Sequence, residues 1–441
     1  MEEQPMVDCQ ETERHPTKIL AESVTKFAED IDSLCTTLPL LMAVMTTVVK
    51  KSEEDFQTFI NESASNKTEN DHHITYTIKV EDITRHNRLK RNRNSALTSV
   101  KFIPRHYITS LVSQYDSFLG CIVRFIFDAN SEILDASEKS IPFTELQKFD
   151  TIRAASDYII EKEVEAVIRK SVVEQFKWLK EKLKIPFTKN LKSWPVFVEL
   201  NERRNLFVHC DGYASSQYIK CCSEHKCKLD STLKIGDQLG VDPDYFREAY
   251  KCVYEIGVKA AHVVWRKLCS TYIEDSDDNI INLTFDLIQN KQYDLAIRLL
   301  DFFTGPTFKH SSETNKLIMI VNLAQAYKWD GDGKSCKKVI DQIDWSASED
   351  RFKLAVAVLR DDYDQTYDLM KRLRHDEYFH KSYYRNWPLF KQLRKEEKFP
   401  DVFEECYGEP FNIQKETQEN VKLSGKPADV SDQHETLPAF Q

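Results

Sequence analysis

Residues that break or reverse a chain are scarce here: ten glycines and fourteen prolines in 441 positions. So few turn-formers disfavour a turn-rich all-β architecture and suit long helices, so the expected fold class is all-α. The length exceeds the roughly 250–300 residues that one hydrophobic core usually serves, and two or three domains are expected. A hydrophobic share of 41% is enough to build real cores for them.

Residues 1–16 are polar and read as a frayed end. A helical pattern begins near Thr17 and ends in LCTTLPLLMAVMTTVV, Leu34 to Val49, which reads as buried against the rest of the chain. This longest apolar run has 16 residues, four threonines and Pro39, too short and too polar to span a bilayer. The first twenty residues lack the apolar core of a signal peptide, and eleven irregularly spaced cysteines read as reduced thiols. A cytoplasmic location is expected. After a loop between Asn61 and Asp71, HITYTIKV alternates with period two. It predicts a short strand, or half of a minor β-hairpin with VKFIP at Val100 to Pro104, placing the hairpin near 73–104.

Pro104 suits the first turn of a helix, and Ile108, Leu111, Tyr115, Phe118, Leu119, Ile122 and Phe125 follow at helical spacing. Beyond a break at Ser140 to Thr144, a long amphipathic helix is predicted from about Tyr158 to Leu183, stopped by Pro186. Next comes VFVELNERRNLFVHCDG, Val196 to Gly212, ended by Asp211-Gly212. An irregular stretch leads to a helix from Pro243, in which Gly257 and Ala260–Ala261 permit close helix approach.

Past the acidic break Glu274 to Asn279 the texture changes. Three segments, at Gln289, Gly331 and Arg360, share a helix–turn–helix layout with Ala296, Cys336 and Thr366 in matching slots 40 and 30 residues apart. Such spacing resembles degenerate tetratricopeptide hairpins. The expected domains are 1–103, an N-terminal helical region with a short strand and a basic loop; 104–274, a helical bundle; 275–408, helical hairpins; and 409–441, a disordered tail.

The net charge is −10, so nucleic-acid contact would need a local basic patch. TRHNRLKRNRN supplies the densest one, with Arg85, Arg88, Lys90, Arg91 and Arg93. It reads either as a solvated face or as an RNA-phosphate contact, with no interleaved aromatic for base stacking. Cys221, Cys222, His225 and Cys227, with Cys210 upstream, lack a clean C-x-x-C and read as ordinary cysteines more than as zinc ligands. In the DGDG at Asp330, Lys334 occupies a liganding slot of a calcium loop, so a tight turn is the better reading. No metal and no cofactor is expected.

The remaining chemistry lies on the 196–212 helix. At about 100° per residue, Val196, Phe197, Leu200, Phe207 and Val208 form one apolar arc with Arg204 near its middle. Glu202, Asn205 and His209 share the adjacent strip. Histidine suits proton transfer near neutral pH, and the arginine fork suits charge developing on phosphate. Asn205 could position either. Arg204 and His209 are about 140° apart, so one helix does not aim both at one phosphate. The bland alternative is that Arg204 pairs with a buried carboxylate while His209 caps the helix end.

ERRNLFVH resembles the signature of the HEPN superfamily, an Arg, four to six residues, then a His: Arg204, Asn205 and His209 match it, and Arg203 satisfies the looser spacing. The resemblance covers roughly residues 104–270 and implies an antiparallel helical bundle, a metal-independent ribonuclease and a composite site at a dimer interface. Catalysis would fall to Arg204, Asn205 and His209, with Arg203 and Glu202 in support. The chain also looks like the subset of prokaryotic HEPN proteins linked to toxin or phage-defence roles. RNA, a second copy of the chain and a regulatory protein on the repeats are the expected partners; a non-catalytic dimerisation scaffold is the alternative.

Overall fold

The computed structural model describes residues 15–70, 73–130, 132–133, 140–188 and 191–411. Among the described residues the fold is all-α apart from one two-stranded hairpin, and the chain forms two compact units, Met1–Leu268 and Cys269–Gln441.

The first unit is built on two long helices, α1 (Pro16–Ser63) and α2 (Ile83–Ala129), each about 70 Å long at 1.5 Å per residue. They run antiparallel in one continuous register: Glu62 pairs with Arg85, Glu53 with Arg93, Thr37 with Tyr107, and Phe27 stacks on Phe118 at 4.3 Å. Pro104 therefore lies inside α2, not at its start, and the expected division at 103/104 falls within this helix. An internal proline costs about 3 kcal/mol; packing against α1 on both sides of it outweighs that loss.

β1 (Ala64–Asn70) and β2 (His73–Ile78) join the two helices as an antiparallel pair, Ala64 opposite Ile78 and Thr68 opposite Thr75. The partner of the His73–Ile78 strand is thus the polar segment read as a loop, and Val100–Pro104 is helical. Asn66, at φ 51°, sits at the register irregularity. Phe56, Phe59 and Ile60 of α1 close a small core under Tyr76 and Ile78.

The amphipathic stretch expected as one helix is two, α3 (Ile152–Ile168) and α4 (Val172–Leu183). Ser171 and Glu174 form a reciprocal capping box that starts the second, a signature readable in SVVE. α5 (Trp194–His209), α6 (Ser216–Glu224) and α7 (Pro243–Leu268) complete the unit. α6 lies within the stretch expected to be irregular. Its main core joins Val24, Phe27 and Ile31 of α1, Ile108 to Phe127 of α2, Phe197 and Leu200 of α5, and Val253 to Trp265 of α7. Gly257 is what lets α7 approach: a Cβ there would lie 2.5 Å from the Phe27 ring.

α1 also carries an apolar face that nothing in the described residues covers. Leu40, Val44 and Val48 are 69%, 60% and 43% exposed. An 18-residue window of α1, mean hydropathy 1.5, is long and apolar enough by composition to cross a membrane, and only 11% of it is buried. Taken alone, the Leu34–Val49 run reads as too short and as buried; it is instead the middle of a 48-residue helix, with Leu40, Val44 and Val48 exposed.

The second unit contains three helical hairpins: α8 (Ile273–Gln289) with α9 (Tyr293–Phe303), α10 (Glu313–Trp329) with α11 (Gly333–Asp341), and α12 (Asp350–Leu359) with α13 (Tyr363–Leu373). All three turns have one form. Lys291, Gly331 and Asp361 take φ of 61°, 92° and 58°. The next amide reaches back to the carbonyl five residues earlier, at 2.8 Å for Gln292, 2.9 Å for Asp332 and 3.0 Å for Asp362, a Schellman-type close. Ala296, Cys336 and Thr366 are buried at matching points. The DGDG is the middle turn, where Asp332 caps α11 by accepting from the Ser335 amide at 3.0 Å. Ordered packing continues past α14 (Phe399–Tyr407): Glu409 accepts from Arg385, and Phe411 packs on Phe399 and Phe403. The rest of the expected tail, like residues 1–14, lies outside the described residues.

Candidate active site

α5 is buried on two sides, which is why a single apolar arc does not describe it. Phe197, Val198, Glu199, Leu200, Asn201 and Leu206 are buried, while Val208, assigned to the arc, is 50% exposed. Phe197 meets Tyr115 of α2 edge-on at 4.8 Å. The opposite side, through Leu206, joins a satellite core with Ala214, Tyr218 and Cys222.

Arg204 points to α2, where its Nη2 donates to Asp116 Oδ2 at 3.0 Å. Burial pushes the Asp116 carboxyl above the usual carboxylate range, against the pull of Arg204. Nε of Arg204 is buried without an acceptor. Glu202 sits beside Arg204 and His225, and burial raises its carboxyl against the pull of both. Asn205 is half-buried, and His209, last residue of α5, is exposed. Within one chain, then, Arg204 turns inward to Asp116 while His209 faces solvent at the helix end.

Arg203 belongs to a different assembly. Its Nε donates to Glu199 Oε1 at 2.6 Å, its Nη1 to the Gly240 carbonyl at 3.2 Å, and its guanidinium covers the Tyr245 ring at 4.0 Å. The hydroxyls of Tyr218 and Tyr245 donate to the same Glu199, at 2.6 and 2.9 Å. This network ties α5 to α6 and α7. The E-x-x-x-R spacing of Glu199 and Arg203 was its signal in the sequence.

The end of α5 is held to α2 by Arg105, which sequence reasoning did not single out. It donates to the Asp211 carbonyl at 3.1 Å, to Asp211 Oδ1 at 3.0 Å and to the Leu239 carbonyl at 3.2 Å. The same guanidinium lies over Phe102 and Phe207. Gly212, φ 80°, permits this closure, since a Cβ would stand 3.1 Å from the Leu239 carbonyl oxygen.

The basic cluster lies on α2 and divides in two. Arg85 and Arg93 face α1, paired with Glu62 and Glu53 and placed over Phe59 and Phe56. Arg88, Lys90 and Arg91 are exposed. Lys90 and Arg91 open a shallow groove of about 800 Å³ that continues past Asn94, Thr98 and Phe102 to His106. Phe102 and His106 stack at 6.2 Å, so an aromatic does stand on this face, eleven residues beyond Arg91 and two before Pro104.

The cysteine group does not converge on one point. The Cys222 thiol donates to the Cys227 sulfur, which raises the first and lowers the second; burial raises Cys221 to about 11; and His225 lines a separate cleft. Among the described residues no group of three or more His, Cys, Asp or Glu could hold a metal. No protein-family model, no curated protein and no solved structure matches this chain.

Proposed function

We propose that the protein is a metal-independent endoribonuclease of the cytoplasm, with a role in toxicity or phage defence, in which two copies pair so that Arg204, Asn205 and His209 of both meet at one cleft. The observation that carries this reading is the Arg105 clamp. α2 bears the exposed cations Arg88, Lys90 and Arg91, and through Arg105 it also holds the α5 end that presents His209. A strand tracked by its phosphates along α2 would arrive beside His209. In this chemistry His209 of one copy takes the 2′-hydroxyl proton as the 2′-oxygen bonds to phosphorus, His209 of the other copy protonates the 5′-oxygen as its bond to phosphorus breaks, and arginine steadies the charge that develops on phosphate. The exposed Leu40, Val44 and Val48 supply an apolar face for a second copy. The hairpins of the second unit would hold a regulatory protein.

A second reading, a non-catalytic dimerisation scaffold, is favoured by the Arg204–Asp116 pair, which occupies the arginine within its own chain. Incubating the purified protein with mixed RNA in excess EDTA separates the two. Wild type is expected to cleave and His209→Ala to be inert; absence of cleavage by both would support the scaffold, and equal cleavage by both would remove His209 from the chemistry.

A further inference from the structure

Where Trp194 opens α5 lies a cleft of about 310 Å³ that has no part in the reading above. Val173, Phe176, Lys177 and Lys180 form one strip of α4, at steps of three and four. Phe187 and Thr188 follow from the next loop, Trp194 opens α5, and His225 caps α6. The walls are aromatic: Trp194 meets Phe176 edge-on at 4.8 Å, and Phe187 meets Phe176 at 6.2 Å.

The ionisable lining groups are all basic or basic on protonation. Lys177 and Lys180 are exposed at the rim, and His225 is half-buried. Lys177 reaches an intrahelical carboxylate, Glu181, only at 4.0 Å. A chain of net charge −10 has here set two lysines and an imidazole around an aromatic floor with no acid in the lining, Glu202 standing beside His225 outside it. That combination selects a ligand with a planar ring at one end and an anion at the other. The volume lies near the lower end of the roughly 300–1,000 Å³ typical of small-molecule pockets, room for one such unit and not for two.

We infer that this cleft binds a nucleoside 5′-monophosphate group, its base against Trp194 and Phe187 and its phosphate between Lys177, Lys180 and His225. The group is either a free nucleotide or the 5′-terminal nucleotide of an RNA strand.

The test is titration calorimetry on the full chain with adenosine 5′-monophosphate, adenosine and inorganic phosphate. It is repeated with short RNA carrying a 5′-phosphate or a 5′-hydroxyl, using the His209→Ala chain so that no probe is consumed. The monophosphate is expected to bind at least tenfold more tightly than either fragment. Lys177→Ala combined with Lys180→Ala should weaken it at least tenfold, with an unchanged melting profile because both side chains are exposed. Trp194→Phe keeps a ring in the wall and should retain binding. A tenfold preference for 5′-phosphorylated RNA over the monophosphate assigns the strand end; the reverse assigns the free nucleotide. Absence of binding by every phosphorylated probe, or equal affinity in the double-lysine variant, would overturn the inference. Because His209 is not in the cleft, loss of cleavage by His209→Ala leaves this result untouched, and the two readings fail separately.

Discussion

Arg204 and Asp116 are the pair on which the two functional readings divide. Removing the guanidinium leaves a largely buried carboxylate unpaired, which costs about 1–3 kcal/mol. Arg204→Ala is therefore expected to lower the melting temperature, and adding Asp116→Asn to recover most of the loss. Asp116→Asn alone frees Arg204. If the arginine serves RNA, that variant keeps its cleavage; if the pair is only structural, no variant of it affects RNA. Melting curves and a gel assay on the same preparations read both.

Glu202 gives a pH signature. Its carboxyl is raised by burial, so its favourable contribution is complete below the usual carboxylate pKa and is lost as pH rises through the higher folded value. Glu202→Gln should then melt above wild type near neutral pH and level with it in mild acid. Parallel melting curves across that range would contradict this.

At the scale of helices, α2 separates structural cations from available ones. Replacing Arg88, Lys90 and Arg91 with alanine should weaken RNA binding and reduce its salt slope by about 2, at roughly 0.7 per phosphate contact to a single strand. Arg93→Ala should instead loosen the pairing of α1 with α2, because Arg93 is spent on Glu53 and Phe56. A salt-titrated binding assay beside thermal melts distinguishes them. Gly257→Ala drives a Cβ into Phe27 and should cost about 1–3 kcal/mol, read as a lower denaturant midpoint.

The sequence made the helices legible where burial is one-sided. The α2 stripe from Ile108 to Phe125 and the matching slots Ala296, Cys336 and Thr366 were visible because each faces a single core. α5 was misjudged because it is buried on two sides, so Glu199 and Asn201 are inside and Val208 is half out. The continuity of α2 through Pro104 was hidden for another reason. It depends on register with α1, some 65 residues away at that level, and no local signal reports it. Asp116 and Arg105 were missed on the same grounds, since their partners lie 88 and 106 residues off.

For the whole molecule, the account turns on His209 acting only when two copies share one cleft. RNA cleavage in excess EDTA by wild type, by His209→Ala, and by an equimolar mixture allowed to exchange subunits tests this most directly. Random pairing leaves about a quarter of the dimers with two intact chains. The account predicts full activity, none, and about a quarter. Cleavage by His209→Ala at the wild-type rate, or a mixture retaining half the activity as simple dilution would give, would contradict it.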